Sequence, residues 1–97
     1  MKVKYFDLKN KRVFISGGGS GIGATIVEHF CEQNSEVYFI DINVKASKKL
    51  ISNIKKKKKR LPKFIECNIL DIKKLQNIIK NIIANKGPIH CLINSAA

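Results

Sequence analysis

The sequence has no tryptophan, one methionine, two prolines and only seven acidic residues in 97 positions. Its apolar stretches are far shorter than the ~18 residues of a membrane-spanning helix, so no membrane segment is predicted. The N-terminal residues are charged throughout and lack an apolar stretch before a small-residue cleavage site, which argues against a secretory signal. Cys31, Cys67 and Cys91 are odd in number and widely spaced, which argues against a disulfide framework or a zinc site. These absences predict a cytoplasmic protein with no metal site.

Positive charge is abundant: 19 Lys and Arg residues against 7 Asp and Glu give a formal net charge of +12. Two interpretations are open. Lysine, isoleucine and asparagine all have A/T-rich codons, so the basic surface can reflect genome composition alone. Alternatively, the run Lys55–Arg60 can bind phosphate backbones through counterion release. No aromatic residues interleave with this run and no nucleic-acid-binding motif accompanies it, so we expect no nucleic-acid partner.

Apolar residues alternate between two periodicities along the chain. Short β-branched and aromatic runs predict strands, and apolar residues at helical spacing between them predict helices. Asp71 is a suitable N-cap for the last helix, which Gly87-Pro88 ends. The predicted strands are Arg12–Ser16, Val37–Asp41, Lys63–Cys67 and Ile89–Ile93. The order β-α-β-α-β-α-β with continuously apolar strands predicts an α/β fold with a Rossmann-type parallel sheet, in one domain.

The buried faces of the helices follow from the same spacing. The first face is predicted as Ile22, Ile26, Val27, Phe30 and Cys31, the second as Ala46, Leu50, Ile51 and Ile54, and the third as Ile72, Leu75, Ile78, Ile79, Ile82 and Ile83. Asn34 follows the first helix where a residue that tolerates left-handed φ and ψ is needed.

A glycine cluster lies between the first strand and the first helix. Two registers fit it: Gly19-x-Gly21-x-x-Ala24 satisfies the general dinucleotide fingerprint, and Gly17-x-x-x-Gly21-x-Gly23 satisfies a second spacing. Glycine is needed there because the chain turns tightly and its backbone approaches a pyrophosphate at the helix N-terminus. No Gly-Lys-Ser/Thr sequence ends the cluster, which excludes a P-loop. The alternative is a merely flexible strand-to-helix loop.

Asp41 ends the second predicted strand. An acidic side chain at this place can accept hydrogen bonds from the adenosine ribose hydroxyls. Its charge would repel a 2'-phosphate, and neither Ser20 nor Ile42 supplies a cation, so NAD is predicted in preference to NADP. The alternative is an aspartate that only caps its loop.

The sequence resembles the N-terminal part of the short-chain dehydrogenase/reductase family. Ser16-Gly17-x-x-x-Gly21-Ile22-Gly23 is similar to the family's Thr-Gly-x-x-x-Gly-Ile-Gly, and Asn94-Ser95-Ala96-Ala97 to its Asn-Asn-Ala-Gly. Asn68 stands where the family has an aspartate near the adenine amino group. The resemblance covers essentially the whole chain. With the residue arguments above, it implies a cofactor site formed by Gly17, Ser20, Gly21, Ile22, Gly23, Asp41, Asn68, Ile69, Asn94 and Ala96.

The resemblance also implies an activity for a complete form of the protein. Family members transfer hydride between an alcohol and the nicotinamide cofactor. We expect a homo-oligomer that acts on a small alcohol or carbonyl substrate, with a sugar as one candidate. The family's strand order is 3-2-1-4-5-6, and its catalytic serine and Tyr-x-x-x-Lys pair lie beyond strand four, on strand five and the helix after it. We therefore interpret residues 1–97 as a partial NAD-binding domain, truncated after strand four. The alternative is a non-catalytic nucleotide-binding module or a decayed gene product.

These 97 residues alone are predicted to be inactive in alcohol oxidation, because none of them is a candidate catalytic residue. Tyr5-x-x-x-Lys9 matches the catalytic pattern, but it precedes the first strand and is interpreted as accidental. A nicotinamide-absorbance assay with simple sugars and secondary alcohols should show no turnover. If turnover is nevertheless observed, its loss in Tyr5→Phe would contradict the interpretation of this match as accidental.

Overall fold

The computed structural model describes residues 8–95, which form a four-stranded sheet with three helices. The elements are β1 (Arg12–Ser16), α1 (Gly21–Glu32), β2 (Glu36–Asp41), α2 (Val44–Lys56), β3 (Lys63–Glu66), α3 (Ile72–Lys86) and β4 (Cys91–Asn94). All pairings are parallel and the strand order is β3-β2-β1-β4. The predicted α/β fold with a Rossmann-type parallel sheet is confirmed.

One strand lies later in the chain than predicted. β4 pairs with β1 from Cys91 onward, whereas the apolar pattern placed its start at Ile89. Gly87, at φ 108°, turns the chain out of α3, and the Pro88 carbonyl accepts a hydrogen bond of 2.8 Å from the Arg12 guanidinium. Residues 87–90 therefore form the connection to the sheet, and regular pairing begins only at Cys91.

The two faces of the sheet have separate cores, because side chains alternate along each strand. On one face α1 and α2 cover a cluster that is built around Val13, Ile15, Val27, Val37, Phe39, Leu50 and Ile54. On the other face α3 alone, within the described residues, covers Phe14, Tyr38, Ile40 and Cys67 with Ile82. β1 and β2 are central in the sheet and are buried on both faces.

The helix faces agree with the prediction only in part. In α1 the buried residues are Gly23, Val27 and Cys31, whereas Ile22 is 79% exposed, so its predicted place in the core is wrong. The close packing of Gly23 on the end of β1 turns that residue inward and its neighbour outward. In α3 only Ile82 is buried. Ile72 is 55% exposed because one helix covers only part of this sheet face.

Local signals set the helix ends. The Asn43 and Asp71 side chains accept hydrogen bonds from the N–H groups of Ala46 and Lys74, at 2.9 and 3.2 Å, and so cap α2 and α3. After α1, Asn34 has φ 61°, as expected from its position. α2 ends inside the lysine run, where Lys58 adopts φ 56°.

The cysteines are free thiols, and no described helix has the length and apolar character that crossing a membrane requires. Burial raises the pKa of the Cys31 thiol to about 12, with a smaller contribution from the Glu28 carboxylate. The thiolate is the reactive form of cysteine, and the raised pKa disfavours it. We therefore interpret Cys31 as a core residue and not as a reactive thiol.

Truncation of a core isoleucine should cost far more than truncation of an exposed one. Ile54 has 0% exposure, so Ile54→Ala leaves a cavity and should lower the free energy of unfolding by about 2–5 kcal/mol. The matched change Ile72→Ala, at a side chain that is 55% exposed, should cost about 1 kcal/mol or less. Urea denaturation of both variants measures the difference. Equal costs would contradict the assigned core.

Candidate nucleotide-binding site

A groove of about 510 Å³ lies at the carboxyl ends of the strands. This is where open parallel sheets bind ligands, and the volume is within the ~300–1,000 Å³ range of small-molecule sites. The predicted site residues that line it are Gly17, Ser20, Asp41, Asn68 and Ile69. Gly21, Ile22 and Gly23 lie beside it in the first turn of α1, and Asn94 is the last residue of β4. Ala96 lies outside the described residues.

The first turn of α1 packs directly on the end of β1. A Cβ on Gly23 would lie 1.8 Å from the Gly17 carbonyl oxygen, so only glycine fits there. Gly17 itself has φ 74°, and its N–H donates to the Ile40 carbonyl at 2.8 Å. The glycine loop is therefore a turn that is hydrogen-bonded to β2.

The N-terminus of α1 is suited to an anion. Ser20 is the N-cap residue, and its side chain makes no capping hydrogen bond within the described residues. The first N–H groups of a helix have no partner within the helix, and they carry the positive end of its dipole. A phosphate group at this place accepts hydrogen bonds from these N–H groups, and its negative charge is stabilised by the positive end of the dipole.

Asp41 connects the glycine loop to the end of β2. Its Oδ2 accepts a hydrogen bond of 2.9 Å from the Gly19 N–H, and its Oδ1 accepts one of 2.8 Å from the Asn43 N–H. A Cβ on Gly19 would lie 2.4 Å from the Ser47 hydroxyl, so glycine is required for this close approach. Asp41 thus caps its own loop and also lines the groove, while its role toward a ribose stays a prediction.

Ser95 is a site residue that the sequence argument did not single out. Its hydroxyl lies 2.7 Å from the Ser16 carbonyl oxygen and 3.1 Å from that of Gly17, and its N–H donates to Ser16. The Ser16 hydroxyl in turn donates to the Asn94 Oδ1 at 2.8 Å. Together these bonds fasten β4 to the glycine loop. The available signal was its position beside Asn94 in the Asn-Ser-Ala-Ala motif.

Asn68 and Ile69 follow β3 on the far side of the groove. The Asn68 Oδ1 accepts a hydrogen bond of 2.9 Å from the Leu70 N–H, which orients the side chain. A carbonyl oxygen has two lone pairs, so this oxygen can still accept a second hydrogen bond, as the sequence argument requires. Within residues 8–95, no three His, Cys, Asp or Glu side chains cluster as metal ligands do.

A Rossmann-type parallel sheet with a glycine-rich first turn and an acid at the end of its second strand is typical of dinucleotide-binding domains. The family profile of short chain dehydrogenases matches residues 11–97, and the chain belongs to this family.

Individual relatives agree with this assignment. The chain is 33% identical over 91 residues to a candidate galactose dehydrogenase of Rhizobium meliloti, covering 94% of this chain and 36% of the relative. It is 36% identical over 92 residues to the D-xylose 1-dehydrogenase of Caulobacter vibrioides, covering 95% and 35%. A candidate D-mannonate oxidoreductase from Haemophilus influenza, solved with bound NAD, superposes with a TM-score of 0.78 at 22% identity over 93% of this chain and 32% of that one. The chain therefore spans about a third of the length of these relatives.

The glycine loop provides a test with an internal control. Gly23→Ala places a methyl group onto the Gly17 carbonyl, so we expect it to displace α1 and abolish nucleotide binding. Gly21→Ala has nothing within 4 Å of the added Cβ, but the φ of 59° costs about 1–2 kcal/mol. It should lower stability and, because the added methyl group meets no neighbouring atom, weaken NAD binding less than Gly23→Ala does. Thermal unfolding measures the stability of each variant, and titration with NAD measures its binding. Full NAD binding by Gly23→Ala would contradict the close approach of Gly23 to the Gly17 carbonyl.

Proposed function

We propose that the groove binds the adenosine half of NAD, and that the whole protein is an oxidoreductase that acts on the CH–OH group of a sugar or another small alcohol. The observation that carries the proposal is the Asp41 carboxylate, which the Gly19 and Asn43 N–H groups hold at the groove. Family membership supports a dehydrogenase, and the residues of the groove support the cofactor.

The residues present fit such a cofactor. The glycine loop leaves no room for a Cβ at Gly23, and α1 presents its N-terminus beside the loop. We assign the pyrophosphate to Gly17, Ser20 and Gly21 with the adjoining Ile22 and Gly23. We assign the ribose hydroxyls to Asp41, the adenine to Asn68 and Ile69, and the backbone beside the ribose to Asn94 and Ala96.

In this proposal the chain binds and orients the cofactor. The glycine loop receives the phosphates through backbone N–H groups, and Asp41 accepts hydrogen bonds from a sugar diol. Bound NAD supplies a nicotinamide ring that accepts a hydride from an alcohol carbon or returns one to a carbonyl.

The charge of the groove supports NAD in preference to NADP. The chain carries 19 Lys and Arg residues, yet none of those within residues 8–95 lines this groove. Asp41 is the only ionised side chain among the described lining residues, because all the others are apolar, polar or glycine. A 2'-phosphate at the ribose would meet a carboxylate and no lining cation, whereas a ribose diol would meet an acceptor.

A sugar is the substrate class that we propose. Both curated relatives described above act on sugars by name, at 33% and 36% identity. The homo-oligomeric state of the whole protein stays a prediction.

Asp41→Ala should weaken NAD binding by about 10- to 100-fold, since it removes hydrogen bonds to a charged acceptor. It should also strengthen NADP binding relative to NAD, because the repulsive charge is lost. Titration of the full-length protein with both nucleotides measures the ratio. Glu32→Ala is the matched control, because Glu32 is an exposed carboxylate at the end of α1 and does not line the groove.

Asp41→Asn separates charge from shape. It keeps one acceptor oxygen, so we expect NAD to bind better than in Asp41→Ala, with the bias against NADP still relaxed. Tighter binding of NADP than of NAD by the unmodified protein would show that the assignment of Asp41 is wrong.

A further inference from the structure

A second, smaller groove of about 230 Å³ lies on the other side of the fold from α1 and α2. It opens between α3 and the strands β2 and β3, and its floor is formed by Tyr38, Ile65, Ile78 and Ile82. Tyr38 and Ile82 are 5% and 7% exposed, so they are fixed by the core. This floor is rigid and apolar and presents the ring of Tyr38.

The groove is remote from the nucleotide-binding groove. Tyr38 pairs with Lys63 at the first residue of β3, whereas Asp41, at the carboxyl end of β2, pairs with the last residue of β3. The two grooves share no lining residue. A ligand of the smaller groove therefore does not occupy the site proposed for NAD.

The rim of this groove is cationic. Lys63 begins β3 and Lys86 ends α3, and neither forms an ion pair within residues 8–95. The Lys63 Nζ lies 5.9 Å from the centroid of the Tyr38 ring, which places the cation above the floor. Asn81 and Asn85, one helical turn apart on α3, add amide groups to the same rim. No acidic side chain is among the described lining residues.

This combination selects a particular ligand chemistry. An inorganic anion would match the lysines but leave the apolar floor uncovered, and a neutral hydrocarbon would cover the floor without using the charges. We propose that this groove is a binding site for a small aromatic carboxylate. Its ring packs on Tyr38 and the isoleucines, and its carboxylate lies between Lys63 and Lys86.

The test is calorimetric titration of the full-length protein with sodium 2-naphthoate and with the neutral 2-naphthamide. We expect naphthoate to bind about threefold to tenfold more tightly than naphthamide, the range of one or two exposed charge contacts. Saturating NAD should not displace it. Displacement by NAD, equal affinity for the two compounds, or no binding of naphthoate would each overturn the proposal.

Two pairs of variants locate the site. Lys86→Gln should lower naphthoate affinity by about the same threefold to tenfold. Lys80→Gln, on the same helix but outside the groove, should leave it unchanged. Asn81→Phe fills the groove and should abolish binding, whereas Asn77→Phe adds the same bulk one turn away. If both members of either pair behave alike, the ligand lies elsewhere and the proposal fails.

Discussion

The contact between the Gly17 carbonyl oxygen and the α-carbon of Gly23 is the constraint on which the site depends. Because the first turn of α1 rests on the end of β1, the helix N-terminus lies at the carboxyl edge of the sheet. The same contact directs Val27 and Cys31 into the core and leaves Ile22 exposed. Any side chain at position 23 would lift the helix from the strand, and both the proposed anion site and the core packing would be lost.

Charge is distributed unequally between the two ends of the sheet. At the amino ends of the strands, Glu36 bonds to the Arg12 guanidinium and lies 3.7 Å from that of Arg60. Burial by itself raises the pKa of Glu36, but the hydrogen bond and charge of Arg12 outweigh it and hold the pKa below its ordinary value. At the carboxyl ends, no lysine or arginine of the described part of the chain lines the groove. Attraction for a phosphate there must come from backbone N–H groups, so it does not depend on the net charge of the protein.

The sequence predicted the fold well because its signals are local. β-branched runs marked the strands, and Asn34, Asp71 and Gly87 act where short polar residues or glycine favour turns and caps. The errors arose where distant parts of the chain decide the structure. Helical spacing alone did not show that Gly23, and not Ile22, faces inward. The role of Ser95 depends on carbonyl groups 78 and 79 positions earlier in the chain, and no local pattern reveals such a bond.

The separation of paired strands along the chain affects the order in which we expect them to pair. β1 and β2 pair across a separation of 24 residues, as in Arg12 with Glu36, and a loop of this size closes early. β4 pairs with β1 across a much longer stretch of chain, as in Val13 with Cys91, and this stretch includes α2, β3 and α3. Contacts of high sequence separation form slowly. We therefore expect the glycine loop to be held on its β2 side before Ser95 fastens it, so that the groove is complete only when the final strand has docked.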